Sequence, residues 1–334
     1  MTDKRPIDRS RESAKTMEVG TLEEGAVKEM IPIGSTLYVV KERAIYIIKL
    51  ADQIDPQRSN ANIPDTQQKF ASEGYDSDRV CRILLTGREL FNKSYLLPEI
   101  DCERGLSICT RLLQEVLAMH EAAISLRETE ETAARSIKAS RGNLVLGAIP
   151  DIFTRAKSFI HRAEHAAQIL YALCGLFYVK DLEVKGRWFD GVTELLREKY
   201  GAADDFYEFS AKATKFCKFL RNARHCVEHE KPYQRIVVND FGLLASGQIM
   251  PPTIEVVHAE TPEPTVPLLI FMEQMTESVV NVAESLIAFL CAKHVRSVGG
   301  LPAQVGEIPE DQRDNKKVRF GYAVWLGDQL VRAS

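Results

Sequence analysis

Three long stretches of this chain repeat apolar residues at steps of three and four. Ile152, Ala156, Phe159, Ala163, Ala166, Leu170, Leu173 and Phe177 form the first. Phe206, Phe209, Ala213, Phe216, Leu220, Ala223 and Val227 form the second. Leu268, Met272, Met275, Val279, Val282, Leu286 and Phe289 form the third. Such spacing lines one face of an α-helix. A helix with one narrow apolar stripe buries it best against another of the same kind. The expected fold is therefore all-α: a helical bundle with a small β-hairpin excursion between the last two long helices. Residues 187–200 supply a shorter fourth helix.

The excursion is legible in its own residues. Arg235-Ile-Val-Val238, the turn Asn239-Asp-Phe-Gly242 and the residues from Leu243 read as strand, turn and strand. Residues 253–258 read as a third strand, and a Pro-rich segment returns the chain to the helix. Residues 318–325 read as a terminal strand completing that excursion.

The first half carries weaker signals. Residues 1–34 have many charges and few large apolar groups, and read as a flexible arm. Leu37, Val40, Ala44, Ile47 and Ala51 then fit one helical stripe, ended by Asp55-Pro56. Another helix is capped by Asp76 or Ser77 and runs to about Phe91. After Pro98 a further stripe holds Cys102, Leu106, Cys109, Leu113, Val116, His120 and Ala123, which places His120 in the core. Gly142 and Gly147 mark a break. The expected division is an N-terminal helical region at 35–141, a bundle at 142–296 with its β-insertion at about 233–260, and a C-terminal extension at 297–334.

Composition narrows the classes. A net charge of −4 leaves no global field to draw the protein onto nucleic acid, so any such site is a local patch. The seven cysteines have no C-x-x-C pairing, which points to reduced thiols and a cytoplasmic location. The N-terminus lacks the apolar core of a signal peptide. The apolar run at 166–179 is interrupted by Gln168 and falls short of the roughly 20 residues of a span, so no membrane partner is expected. P-loop, dinucleotide-binding and nucleophile-elbow motifs are absent. Trp188 and Trp325 read as packing anchors.

Residues 216–229, F-C-K-F-L-R-N-A-R-H-C-V-E-H, concentrate basic and imidazole groups at a helix end. Lys212, Lys215, Lys218, Arg221 and Arg224 recur every three residues, so they wind around the helix rather than forming a stripe. Arg224-His225-Cys226-Val227-Glu228-His229 has the form R-polar-x-x-x-H and stands just before Lys231-Pro232. It resembles the signature of the HEPN superfamily, the higher eukaryote and prokaryote nucleotide-binding domains. That resemblance covers about residues 150–295. It implies an all-α bundle and a metal-independent endoribonuclease or RNA-binding protein of a toxin, defence or RNA-processing type. It also implies a homodimer, a protein partner of the antitoxin type and no cofactor. By the same resemblance Arg224 would contact the scissile phosphate. His229 would move a proton or orient the 2′-hydroxyl, assisted by His225. Arg221, Asn222 and Lys218 would bind substrate beside them.

The chemistry suits these side chains: a base frees the 2′-hydroxyl and a cation stabilises the negative charge that develops on the phosphoryl oxygens. Geometry raises a difficulty. Residues five apart on a regular helix point about 140° apart. Arg224 and His229 converge only if the helix unwinds near Glu228 or a second subunit supplies one of them. Two other readings stand beside this one. The first is a non-catalytic helical interaction or scaffold protein, in which Arg224 and Glu228 form an ordinary i,i+4 ion pair. The second is metal binding by His225, His229, His161 and His165, since the H-x-x-E-H pattern of some zinc peptidases occurs at both His pairs. Cys226, beside His225, reads as a buried thiol.

Overall fold

The chain leaves the expected helices first in its N-terminal third. The computed structural model describes residues 5–13, 16–297, 303–326 and 329–332. After a short helix, Pro6–Glu12 (α1), the strands Val27–Ile33 (β1), Thr36–Lys41 (β2), Ile45–Lys49 (β3) and Thr66–Ala71 (β4) form an antiparallel sheet in the order β1-β2-β3-β4. Only Ala51–Ile54 (α2) interrupts it with helix. The stripe from Leu37 to Ala51 is therefore two strands, a turn and a helix start. Leu37-Tyr-Val-Val40 and Ile45-Tyr-Ile-Ile48 are dense in β-branched and aromatic side chains, which fit a pleated surface. Val40 and Ile45 join the main core, while Val39, Tyr46 and Ile48 join a second cluster. Strands buried on both faces read as apolar runs, which match a helical step by coincidence.

The whole chain is accordingly mixed, 51% helix and 20% strand, with its strands in five sheets among the described residues. The all-α expectation, with its helical bundle as the whole fold, is overturned. The segment read as a flexible arm supplies β1, with Ile31 buried. It is also tied down through Lys41, whose Nζ donates to the carbonyls of Val19 and Thr21 at 2.7 and 2.6 Å.

Asp78–Val80 (α3) is capped by Ser77, one of the two caps the sequence offers, and continues through a π-helical turn at Cys81–Leu85 into Thr86–Leu90 (α4). After Pro98, Asp101 caps Cys102–Arg135 (α5) by accepting from the Arg104 amide at 3.0 Å. His120 lies half-buried at the edge of α5, its Nε2 3.8 Å from Glu73, rather than inside the core. A hairpin, Lys138–Ser140 (β5) and Asn143–Val145 (β6), leads into Ile152–Lys185 (α6), Phe189–Tyr200 (α7) and Asp205–Glu228 (α8).

The predicted excursion follows. Arg235–Asn239 (β7), Thr253–Val257 (β10) and Glu263–Pro267 (β11) form one sheet in the order β11-β10-β7. Gly242–Leu243 (β8) and Ile249–Met250 (β9) pair separately within it. The Pro-rich return is thus itself a strand. Leu268–Ala292 (α9) comes next; by length and composition it could cross a membrane, and 56% of its most apolar window is buried inside the protein.

Ala303–Glu307 (β12), Phe320–Leu326 (β13) and Gln329–Arg332 (β14) make a further sheet, against α4 and α9. The terminal strand therefore does not complete the excursion. Tyr322 fixes it, stacking on Tyr95 at 4.4 Å and donating to the Leu90 carbonyl. One core cluster runs from Ile31 to Tyr322, and α5 packs along α6 across the Gly142 break.

Candidate functional site

Helix α8 sits on the core by Cys217, Leu220, Ala223 and Cys226, with Phe216 and Val227 only partly buried. Its buried face is thus turned by about one residue from the predicted stripe. The consequence is that Arg221, Arg224, His225 and Glu228, at steps of three and four, share the flank next to α6. From α6 come Glu164, Gln168 and Tyr171, again one helical face. Trp188, at the start of α7, closes the end. Arg221, Arg224 and His225 line one side of the open cleft between them, which holds about 470 Å³.

The wall residue Trp188 is held in an unusual backbone. Gly186, Arg187 and Trp188 have φ of 57°, 60° and 55°. The left-handed region is costly for the two non-glycine residues. Gly191 permits the fold-back, because a Cβ there would collide with the Gly186 carbonyl oxygen. The Trp188 indole then lies under the Arg221 guanidinium, 5.2 Å from ring centre to Cζ. Such a cation–π contact contributes about 0.5–1 kcal/mol at an exposed site.

Charge in the cleft is unevenly compensated. Arg224 pairs with Glu228 at 2.9 Å, and the other oxygen of Glu228 lies 3.8 Å from Nδ1 of His161. Arg221 forms no ion pair among the described residues. Burial and the neighbouring Arg221 and Arg224 hold His225 below the usual histidine range. It is therefore neutral near pH 7 and able to take a proton. At the cleft floor Glu164 is 3% exposed. Its partner is Gln168, whose Nε2 donates to both carboxyl oxygens at 2.7 and 2.9 Å.

The predicted site residues separate into three groups. Arg221, Arg224 and His225 come together in the cleft. His229 lies outside it. The helix stays regular to Glu228, and His229 caps it with φ −128° and ψ 58°. Its amide donates to the His225 carbonyl at 2.8 Å and its ring stands 6.1 Å from that of His225. Gln234 Nε2 donates to the carbonyls of both residues at 3.2 Å, satisfying this end of the helix. Asn222 and Lys218 face elsewhere: Asn222 donates to Thr261 at 3.1 Å, and Lys218 pairs with Asp190 at 2.8 Å.

His161 approaches Glu228 and His165 is exposed on α6. Among the described residues no group of three His, Cys, Asp or Glu side chains could hold a metal ion. Cys226 is buried, its Sγ 3.5 Å from the Val257 carbonyl, and burial raises its pKa.

No family model, curated protein or solved structure matches this chain.

Four cleft residues escape a reading of the α8 motif alone: Glu164, Gln168, Tyr171 and Trp188. Their signal in the sequence is faint. Gln168 alone interrupts the apolar run at 166–179, while Glu164 stands among His161, Arg162 and His165 and reads as an ordinary solvated position.

Proposed function

We propose that the protein binds single-stranded RNA in this cleft, as the resemblance of residues 150–295 to HEPN domains implies. The observation that supports it is the convergence of Arg221, Arg224 and neutral His225 on a cleft walled by Trp188 and Tyr171. Guanidinium groups take phosphate oxygens in bidentate fashion, and aromatic faces stack bases of any identity. An i,i+4 pair such as Arg224–Glu228 contributes only a few tenths of a kcal/mol, so a phosphate can draw Arg224 away. The cationic patch is local on a chain of net charge −4, so binding is expected to weaken moderately as salt rises.

One observation favours a further step, metal-independent cleavage. His225 is neutral and adjacent to Arg224 on the same helix face. It can take the proton of a 2′-hydroxyl. The 2′-oxygen then forms a bond to phosphorus, and the bond to the 5′-oxygen breaks. That oxygen takes a proton from water, leaving a cyclic phosphate and a 5′-hydroxyl. In this reading His225 replaces His229 as the base within one chain, and His229 acts only if a second copy brings it to the cleft.

The decisive experiment is fluorescence anisotropy with a labelled single-stranded RNA at low salt, together with a gel assay for cleavage in EDTA. Binding lost in Arg221→Ala and Arg224→Ala is the expected result, with cleavage lost in His225→Ala. An unmodified protein that binds no RNA overturns this proposal, and the Arg224–Glu228 pair is then only a surface contact.

A further inference from the structure

We propose that Glu164 reads a guanine base in the RNA that this cleft binds; the inference rests on the RNA reading above. Glu164 sits at the cleft floor, 3% exposed, on the buried side of α6 with Ala163, Ala167 and Ile160. A carboxyl group so placed is costly unless something is gained. Its hydrogen-bond partner among the described residues is one neutral nitrogen, Gln168 Nε2, which donates to both oxygens. A carboxylate offers about four acceptor positions on its two oxygens. Two donations from a single nitrogen therefore leave acceptor capacity on each oxygen, and among the described residues no cation pairs with it. Arg221 lies on Trp188 and Arg224 is paired with Glu228.

A ligand group that fits this remaining capacity carries two parallel N–H donors. Among the RNA bases, guanine alone presents two adjacent donors on its Watson–Crick edge, the ring N–H and the exocyclic amino group. Adenine and cytosine place a ring acceptor beside their amino group, and uracil flanks its N–H with two carbonyls. Each of those would set an acceptor against a buried carboxylate oxygen, which costs about 1–3 kcal/mol per unmade bond. The remaining cleft chemistry completes the fit. Tyr171 and Trp188, with ring centres 6.4 Å apart and planes tilted by 48°, offer faces for stacking. Arg221 and Arg224 stand across the cleft for the adjoining phosphate, so the donor edge and the anion of one nucleotide meet opposite charges.

The test measures binding of the full chain, by fluorescence anisotropy in EDTA, to three labelled RNAs. One is a short uridine oligonucleotide, the second carries one central guanosine, and the third carries inosine there, which lacks the exocyclic amino group. The protein is expected to bind the guanosine RNA about tenfold more tightly than the uridine RNA, with inosine in between. Glu164→Gln is expected to level the affinities for guanosine and uridine RNA. Equal affinity of the unmodified protein for guanosine and uridine RNA overturns the inference and leaves the RNA reading intact. So does a guanosine preference that survives Glu164→Gln. Should that variant fail to fold, the inosine comparison on the unmodified protein decides: inosine bound as tightly as guanosine overturns a two-donor contact. Binding to none of the three overturns the RNA reading itself, and this inference with it.

Discussion

Arg82 and Arg221 carry the same side chain into opposite surroundings. Arg82 is 7% exposed, on the π-helical turn, and four side chains from two elements hold its guanidinium. Glu284 accepts at 2.6 Å, Glu277 at 2.7 Å, Asn281 at 2.6 Å and Asp78 at 3.3 Å. Glu284 is fully buried on α9 and also binds Arg319, which anchors the strand β13. This cluster links the π turn, α9 and the C-terminal sheet. Arg221 is exposed, rests on an indole and forms no ion pair among the described residues. The difference separates a structural arginine from one able to take a new anion. Saturation inside leaves no capacity for a ligand, whereas Arg221 keeps its own.

The comparison breaks most visibly at Glu284. Glu284→Ala leaves Arg82 buried without its nearest anion, and is expected to cost about 3–5 kcal/mol in urea denaturation. A loss below about 1 kcal/mol would show that the cluster is not structural.

A smaller effect is expected at the cleft wall. Gly191→Ala drives a Cβ into the Gly186 carbonyl, which must shift the Gly186–Trp188 turn. About 1–3 kcal/mol of stability is expected to go, as in other overpacked sites. RNA binding is expected to fall with it if Trp188 is a stacking wall; full affinity in a destabilised variant would remove Trp188 from the site.

The pH dependence comes next. Burial is the first cause holding His294, His120 and His225 below the ordinary histidine value. Lys199 adds to this at His294 while the Leu290 carbonyl and Glu99 oppose it. The native state therefore prefers these rings neutral, and below about pH 6.5 the unfolded chain binds more protons. Their contribution to stability is complete above that pH and declines as pH falls toward the lowered native values. Urea midpoints measured from pH 7.5 down to pH 5 are expected to drop, and His294→Gln to lessen the drop. A midpoint that rises on acidification would reverse the sign.

The smallest expected change in stability is at the cleft arginines. Arg221→Ala and Arg224→Ala are expected to stay within about 0.5 kcal/mol of the unmodified protein. Their effect belongs to RNA affinity, with about 0.7 units less dependence on the logarithm of salt for each phosphate contact removed. A stability loss equal to that of Glu284→Ala would erase the distinction between the two regions.

Legibility followed length of pattern. Helices α6, α8 and α9 repeat their stripes over many turns, so their existence follows from spacing alone. The strands β7 and β10 follow from short β-branched runs between turn residues. The sheet β1–β4 fails the same method, because five apolar positions between Leu37 and Ala51 satisfy a helical step while their residue types favour strands. The phase of α8 fails more subtly. Cys226 and Cys217 are buried in place of full burial of Val227 and Phe216. Apolar residues line both edges of that stripe, and the neighbours choose between them.

The sequence by itself determined that long amphipathic helices dominate the second half, that a β-excursion interrupts them, and that Arg221, Arg224 and His225 crowd one helix end. These are local properties, written in spacing and propensity. Only the tertiary structure decided which flank of α8 meets α6, and with it that His225 rather than His229 shares the cleft with Arg224. It alone brought Glu164 and Trp188 to the same place, because contacts between distant segments depend on how several buried faces settle against one another.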